Sequence, residues 1–301
     1  KERVIQEGAT RIEFRCSPYY QNSALYPVIE RLHRMLQFAR DDAPAVKLEK
    51  LEQTLSRYDF PQADTLALFA ALLSLPPPES VPPLTLSPQK QKEKTLEALA
   101  RWLFEEADEN VVYTAWEDLH WADPSTLEFL TLCLDYVPTA RMLALLVFRP
   151  ELTPPWGTRS YLSQVTLGRL GRAQVEGIVE RVTKGRAFPS AVVEQVVAKT
   201  DGVPLFVEEL TKMIVESGML RAVNSHYELA GPLSALSIPS TLQDSMMARL
   251  DRLGTAKEVA QLGAVVGREF SHELLRAVSP MAEEALQQGL QQLVDAELIC
   301  R

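Results

Sequence analysis

Glu117 and Asp118 have the clearest chemical potential in this chain: they are adjacent carboxylates that close an apolar run, Val111–Trp116. A run of that length and apolar density is consistent with a strand buried on both faces. The acids are therefore expected where a strand leaves its sheet. A carboxylate pair in that position can hold a hydrated Mg²⁺ and polarise the water that attacks a phosphoryl group. The plain alternative is a solvated strand end leading into a turn. A second apolar run, Met142–Phe148, ends in Arg149, which otherwise reads as a surface charge or a partner of Glu151. The other half of a nucleotide site would be a glycine-rich phosphate loop, and no G-x-x-x-x-G-K-[ST] occurs anywhere in the 301 residues.

Other candidates are weaker. Gly202-Val203-Pro204 is a turn that precedes an amphipathic helix, and Gly and Pro punctuate many ordinary turns. His120 has no second His or Cys at ligand spacing, so a structural hydrogen-bonding role is expected rather than metal ligation. Cys16, in RCSPY, reads as a small residue at a strand end. The polar run Gln89–Lys94 reads as the solvated start of a helix.

These residues need a scaffold. Arg11–Cys16 alternates like a short strand, and Ala24–Phe38 carries apolar residues at helical spacing. Helices are predicted near Ala45–Arg57, Asp64–Leu75 and Gln89–Asp108, with a proline-rich loop over Leu75–Pro88. Asp123-Pro124 is a strong helix start, with Asp as the cap and Pro in the first turn. Leu127, Leu130 and Leu134 share one face of that helix. Gln164–Leu167 reads as a short last strand. Strands alternating with helices predict a mainly parallel α/β sheet. Beyond Gly171 the pattern turns helical, over Ala173–Lys184, Ser190–Thr200, Pro204–Glu216, Leu242–Arg252, Ala256–Val265, His272–Ala277 and Met281–Ala296. A hairpin is expected over Leu220–Leu229, turning at Asn224-Ser225. The opening KERVIQEG reads as the tail of a helix and the closing ELICR as the start of a strand, so the chain reads as an internal piece of a longer protein.

Composition narrows the classes. The net charge of −9 argues against a broad nucleic-acid footprint. Three well-separated cysteines suggest neither a disulfide framework nor a metal site, which points to a reducing cytoplasm. No apolar run is long enough to span a bilayer.

WEDLHWADPSTLEFL, VFRPEL and DGVPLFVEEL, in that order, together with FRCSPYYQNSALYPVIERL, resemble the signal-transduction ATPases with numerous domains. The resemblance is to the bacterial branch whose ATPase module sits beside a cyclase, kinase or DNA-binding regulator domain, and it covers nearly the whole chain. It implies a P-loop NTPase-type parallel sheet lacking its central strand over residues 1–170. A helical lid domain would follow over 171–235, and the start of a winged-helix domain over 236–301. It implies that Glu117 and Asp118 are the Walker B acids, binding Mg²⁺ through water, with Asp118 oriented toward the catalytic water. Arg149 would sense the γ-phosphate. Gly202 and Pro204 would lie in the motif that packs near the adenine and couples nucleotide state to the helical domain. ATP and Mg²⁺ are the implied ligands, bound between core and helical domain, and an attached cyclase, kinase or DNA-binding domain is the implied output. A nucleotide-dependent oligomer fits the same pattern. The family places its phosphate loop shortly before KERVIQEG, and that loop and its strand are missing here. The competing reading is a catalytically inactive ATPase-fold scaffold or a DNA-binding regulator segment. Direct DNA contact by this segment is not expected, because Ser240–Arg252 offers only Arg249 and Arg252 as cations, and Met281–Ala296 offers none.

Overall fold

A computed structural model describes residues 8–39, 41–59, 62–78, 81, 84–231, 239–267 and 270–300. The expected helix tail in KERVIQEG falls outside the described residues, apart from Gly8. The chain divides into two compact units, Lys1–Gln164 and Val165–Arg301.

The first unit is built on a three-stranded parallel sheet in the order β1 (Thr10–Arg15), β2 (Val112–Glu117), β3 (Met142–Leu146). Parallel pairing needs long crossovers. Helices α1 (Tyr26–Met35), α2 (Pro44–Leu55), α3 (Gln62–Leu72) and α4 (Pro88–Glu109) lie between β1 and β2, and α5 (Pro124–Tyr136) lies between β2 and β3. The starts of α4 and α5 follow from their capping residues. Ser87 accepts from the Lys90 N–H ahead of Pro88, and Asp123 does the same for Ser125 and Thr126 ahead of Pro124. One face of the sheet is core: Phe14 stacks on Trp116 with ring centroids 4.0 Å apart, and Phe129 of α5 meets Trp116 at 5.9 Å. Leu32, Leu51, Phe69, Leu99 and Trp102 complete that core from the helices.

β2 sits between β1 and β3, the order that the family resemblance implies for these three strands. The run Met142–Phe148, read as a buried strand, forms the edge strand β3 and leaves Leu143, Leu145 and Val147 63%, 47% and 44% exposed. Another expectation needs correction: Gln164–Leu167 is not a strand. It joins no ladder among the described residues, and Val165 and Leu167 are 80% and 91% exposed. Four alternating residues carry too little local preference to hold an extended conformation without a neighbouring strand.

The second unit opens with α6 (Arg172–Val182), α7 (Ser190–Thr200) and α8 (Pro204–Glu216), followed by a hairpin of β4 (Leu220–Val223) and β5 (His226–Leu229). The hairpin turns at Asn224-Ser225, with Asn224 in the left-handed region, as a two-residue loop requires. Then come α9 (Leu242–Arg252), α10 (Thr255–Val266), α11 (His272–Val278) and α12 (Glu283–Asp295). Two apolar clusters form. One gathers Val179, Val192, Val196, Val207, Leu210 and Ile214, and the other Ala256, Val259, Leu275, Leu286 and Leu293. The strand expected at the end of the chain is absent among the described residues: Leu298 and Ile299 lie in a bend after α12. Among the described residues no second strand lies beside them to supply ladder hydrogen bonds.

The exposed face of β3 makes a testable statement. Replacing Leu143 and Leu145 together by Thr is expected to change unfolding stability by less than about 0.5 kcal/mol, because little buried area is lost. It should also lower concentration-dependent light scattering. A loss above ~2 kcal/mol in urea unfolding would show that these side chains are packed.

Candidate functional site

The carboxyl ends of the parallel strands gather the sequence-predicted residues of the first unit. Ligands bind at this end of open parallel sheets. Glu117 closes β2, and Asp118 follows in the left-handed region at φ 57°. Asp tolerates that conformation better than most residues. The turn leads into a single 3-10 turn, Leu119–Trp121, and then to Asp123. β3 continues beside it: the Val147 N–H donates to the Trp116 carbonyl at 2.8 Å, and the Leu119 N–H to the Val147 carbonyl at 3.0 Å. Arg149 therefore emerges at the same end as the acid pair, with its guanidinium over the Trp121 ring, 5.3 Å from the centroid. That is cation–π distance.

Asp123 fixes this end of the sheet. Its Oδ1 accepts from the N–H groups of Ser125 (2.9 Å), Thr126 (3.0 Å) and Leu25 (3.2 Å), and its Oδ2 accepts from the Thr126 hydroxyl. The carboxylate is buried. It caps its own helix, α5, and also holds Leu25, the left-handed residue that begins α1. One side chain thus ties together the segments that leave β1 and β2. The Asp-Pro cap was legible in the sequence; the link to Leu25 was not.

Two further features were missed. Arg15, the last residue of β1, lies opposite Glu117 in the ladder and its Nε meets a Glu117 oxygen at 3.0 Å. His120 departs from its expected role. Both ring nitrogens are buried and, among the described residues, neither has a hydrogen-bond partner; the ring packs on Trp121 with centroids 4.4 Å apart. Buried polar atoms without partners are uncommon and each costs about 1–3 kcal/mol. Cys16 follows β1, its N–H donating to the Glu117 carbonyl at 3.0 Å. Burial first, then the charges of Asp123 and Asp118, push its thiol up to about 12. That favours the protonated, weakly nucleophilic thiol.

Gly202 and Pro204 lie in the second unit. Asp201 ends α7 in the left-handed region and Gly202 follows at φ 64°. A Cβ at Gly202 would run into the Leu170 backbone, and the Leu170 N–H donates to the Gly202 carbonyl at 2.9 Å. The conformation and the close approach both require glycine. Pro204 opens α8 and is exposed.

The acid pair suits Mg²⁺ in donor chemistry, since hard carboxylate oxygens commonly hold that ion through its waters. Glu117 would have to share its carboxylate with Arg15. Among the described residues no group of three or more His, Cys, Asp or Glu side chains is arranged to hold a metal directly.

Comparison with known proteins adds one relative of undefined role. The chain is 29% identical over 203 residues to an uncharacterized protein of Rhizobium meliloti (strain 1021). The match covers 64% of this chain and 18% of that protein, so the chain spans only a small part of its length. No protein-family model matches, and neither does any solved structure. No helix among the described residues is long and apolar enough to cross a membrane.

Two expectations follow from the site. Asp123→Ala should destabilise the chain by ~2–4 kcal/mol, because it strands buried donors, while Asp123→Asn, which keeps an acceptor oxygen, should lose less. Equal losses in denaturant unfolding would contradict the two-helix cap. In native protein at pH 8, a thiol reagent should label exposed Cys300 quickly, with buried Cys16 and Cys133 reacting only on unfolding. Labelling of Cys16 at the rate of Cys300 would refute its assigned burial and charge environment.

Proposed function

We propose that this chain belongs to a regulatory ATP-binding and hydrolysing switch module of a multidomain bacterial signalling protein. In this reading nucleotide state gates an attached output domain, of cyclase, kinase or DNA-binding type. The observation that carries the reading is that Glu117 and Asp118 follow β2, and Arg149 follows β3, at the same carboxyl end of adjacent parallel strands. Glu117 would hold a water of the Mg²⁺ shell. Asp118 would orient the attacking water, its left-handed backbone turning it out of the strand direction. Arg149, steadied on Trp121, would read the charge of the terminal phosphate. Bound Mg²⁺ would supply charge neutralisation on the phosphate oxygens. The residues that cradle the phosphates would have to come from outside these 301 residues, because no phosphate loop occurs within them. The rigid turn Gly202-Val203-Pro204 at the head of α8 fits the coupling role. Three free cysteines, two of them buried, fit a cytoplasmic setting.

A specific observation favours a second reading, an ATPase-fold scaffold without catalysis. The Arg15–Glu117 ion pair already neutralises one of the two acids.

Turnover separates the two. In a polypeptide that joins this chain to a glycine-rich phosphate loop, Asp118→Asn should spare nucleotide binding and cut ATP hydrolysis by ~10²–10⁴-fold. Asn keeps the left-handed backbone, so the change isolates the carboxylate. Glu117→Gln should weaken the Mg²⁺ dependence of binding. The 301-residue chain alone should show no saturable Mg·ATP binding by calorimetry. Tight binding by this chain alone, or turnover unchanged by either substitution, would overturn the switch reading.

A further inference from the structure

The second unit holds two apolar clusters with a set of buried and half-buried ion pairs between them. Its two apolar clusters share no buried residue. Helix α9 bridges them, with Leu242 packed against the first and Leu250 and Leu253 against the second. On the same helix lies Arg249, only 3% exposed, against Glu209 of α8 at 8%. Its guanidinium also donates to Glu216 of α8 at 3.4 Å and, at 2.7 Å, to the carbonyl of Ala296, the residue that ends α12. A second tie runs alongside. Lys212 of α8 reaches Glu297, just past α12, at 2.6 Å and also meets Glu208 and Glu209. Arg252 donates to the Met213 carbonyl at 3.3 Å. Beside these contacts is an open cavity of about 540 Å³, lined by Arg181, Lys184, Lys212, Glu216, Arg249 and Glu297 among others. Solvent therefore reaches the seam that the ion pairs close.

We propose that helices α10–α12 form a cap latched to α8 through Arg249 and Lys212, and that the cap releases as one body when this ionic contact is broken. Three features of the seam support release rather than general unfolding. The fully buried residues of the two clusters are separate, and only partly buried leucines of and beside α9 touch them from between. The contacts across the seam are directional and charge-assisted, which fixes one position strongly without adding apolar area. The cavity lets water replace the lost partners. Both ties act on α8, whose first turn is set by Gly202-Val203-Pro204, so a shift of α8 would reach the carboxyl end of α12 directly. The latch does not depend on nucleotide binding.

Hydrogen exchange on the full chain tests this. Arg249→Met is expected to speed amide exchange in α10–α12 by about tenfold or more, the scale of one lost charge-assisted contact, while α6–α8 and the first unit keep their protection. In wild-type protein, raising NaCl to about 1 M should selectively speed exchange in α10–α12, since the half-exposed Glu216 and exposed Glu297 contacts are open to screening. In an Arg249→Met, Lys212→Met chain the salt response should vanish. Unchanged exchange in Arg249→Met, or exchange that rises equally across α6–α8 and α10–α12, would overturn the latch. Should the substituted chains fail to fold, the wild-type salt series decides: a selective rise upholds the latch, and a uniform rise or none refutes it.

Discussion

The first unit depends on the buried carboxylate of Asp123. Two helices, α1 and α5, begin beside it, and each helix start leaves N–H groups without intrahelical partners. Asp123 takes up donors from both, with three backbone N–H groups on one oxygen and the Thr126 hydroxyl on the other. A buried carboxylate is tolerable only when its acceptors are filled in this way. In return it fixes how the chain leaves β1 and how it re-enters a helix after β2. The left-handed residues Leu25 and Asp118, the 3-10 turn that carries Trp121, and the exit of β3 toward Arg149 all lie around that constraint. The acid pair is therefore presented by a rigid corner rather than by a loose loop.

A second polar hub in the other unit works differently. Arg249 gathers two acids and a helix-ending carbonyl, as Asp123 gathers helix-starting N–H groups. Asp123 lies within one continuous apolar core, whereas Arg249 lies between two. The same chemistry thus makes one junction permanent and leaves the other separable. Buried charge of this kind contributes more to a defined position than to net stability.

What the sequence made legible was local. The apolar run ending in Glu117-Asp118, the Asp123-Pro124 cap, the helix periods of α7 and α8 and the Asn224-Ser225 hairpin all depend on neighbours within a few residues. The apolar run of β2 made its burial legible, while its central place came from the family resemblance and not from the run itself. What was not legible was long-range. Leu25 meets Asp123 across 98 positions, and Arg249 meets Ala296 across 47. Arg15 met Glu117 only once the β1–β2 register was known. Gln164–Leu167 and the end of the chain failed as strands for the same reason: a strand is made by its neighbour, and short alternation carries no information about whether one is present. His120 reads from sequence as a hydrogen-bonding residue, yet its nitrogens face no described partner, because aromatic packing on Trp121 sets the ring.

The central claim is that the carboxyl end of β2 and β3 faces a metal–nucleotide complex. Trp121 and Trp102 give built-in reporters. Trp121 lies beside Arg149 at that end, while Trp102 is buried in α4, on the segment that leads into the opposite end of β2. The direct measurement is indole N–H line broadening by paramagnetic Mn²⁺ with ATP, in a polypeptide that joins this chain to a phosphate loop. The account predicts strong, nucleotide-dependent broadening of the Trp121 signal and a sharp Trp102 signal. A Trp121 signal that stays sharp at saturating Mn·ATP, or broadening equal for both indoles, would contradict it.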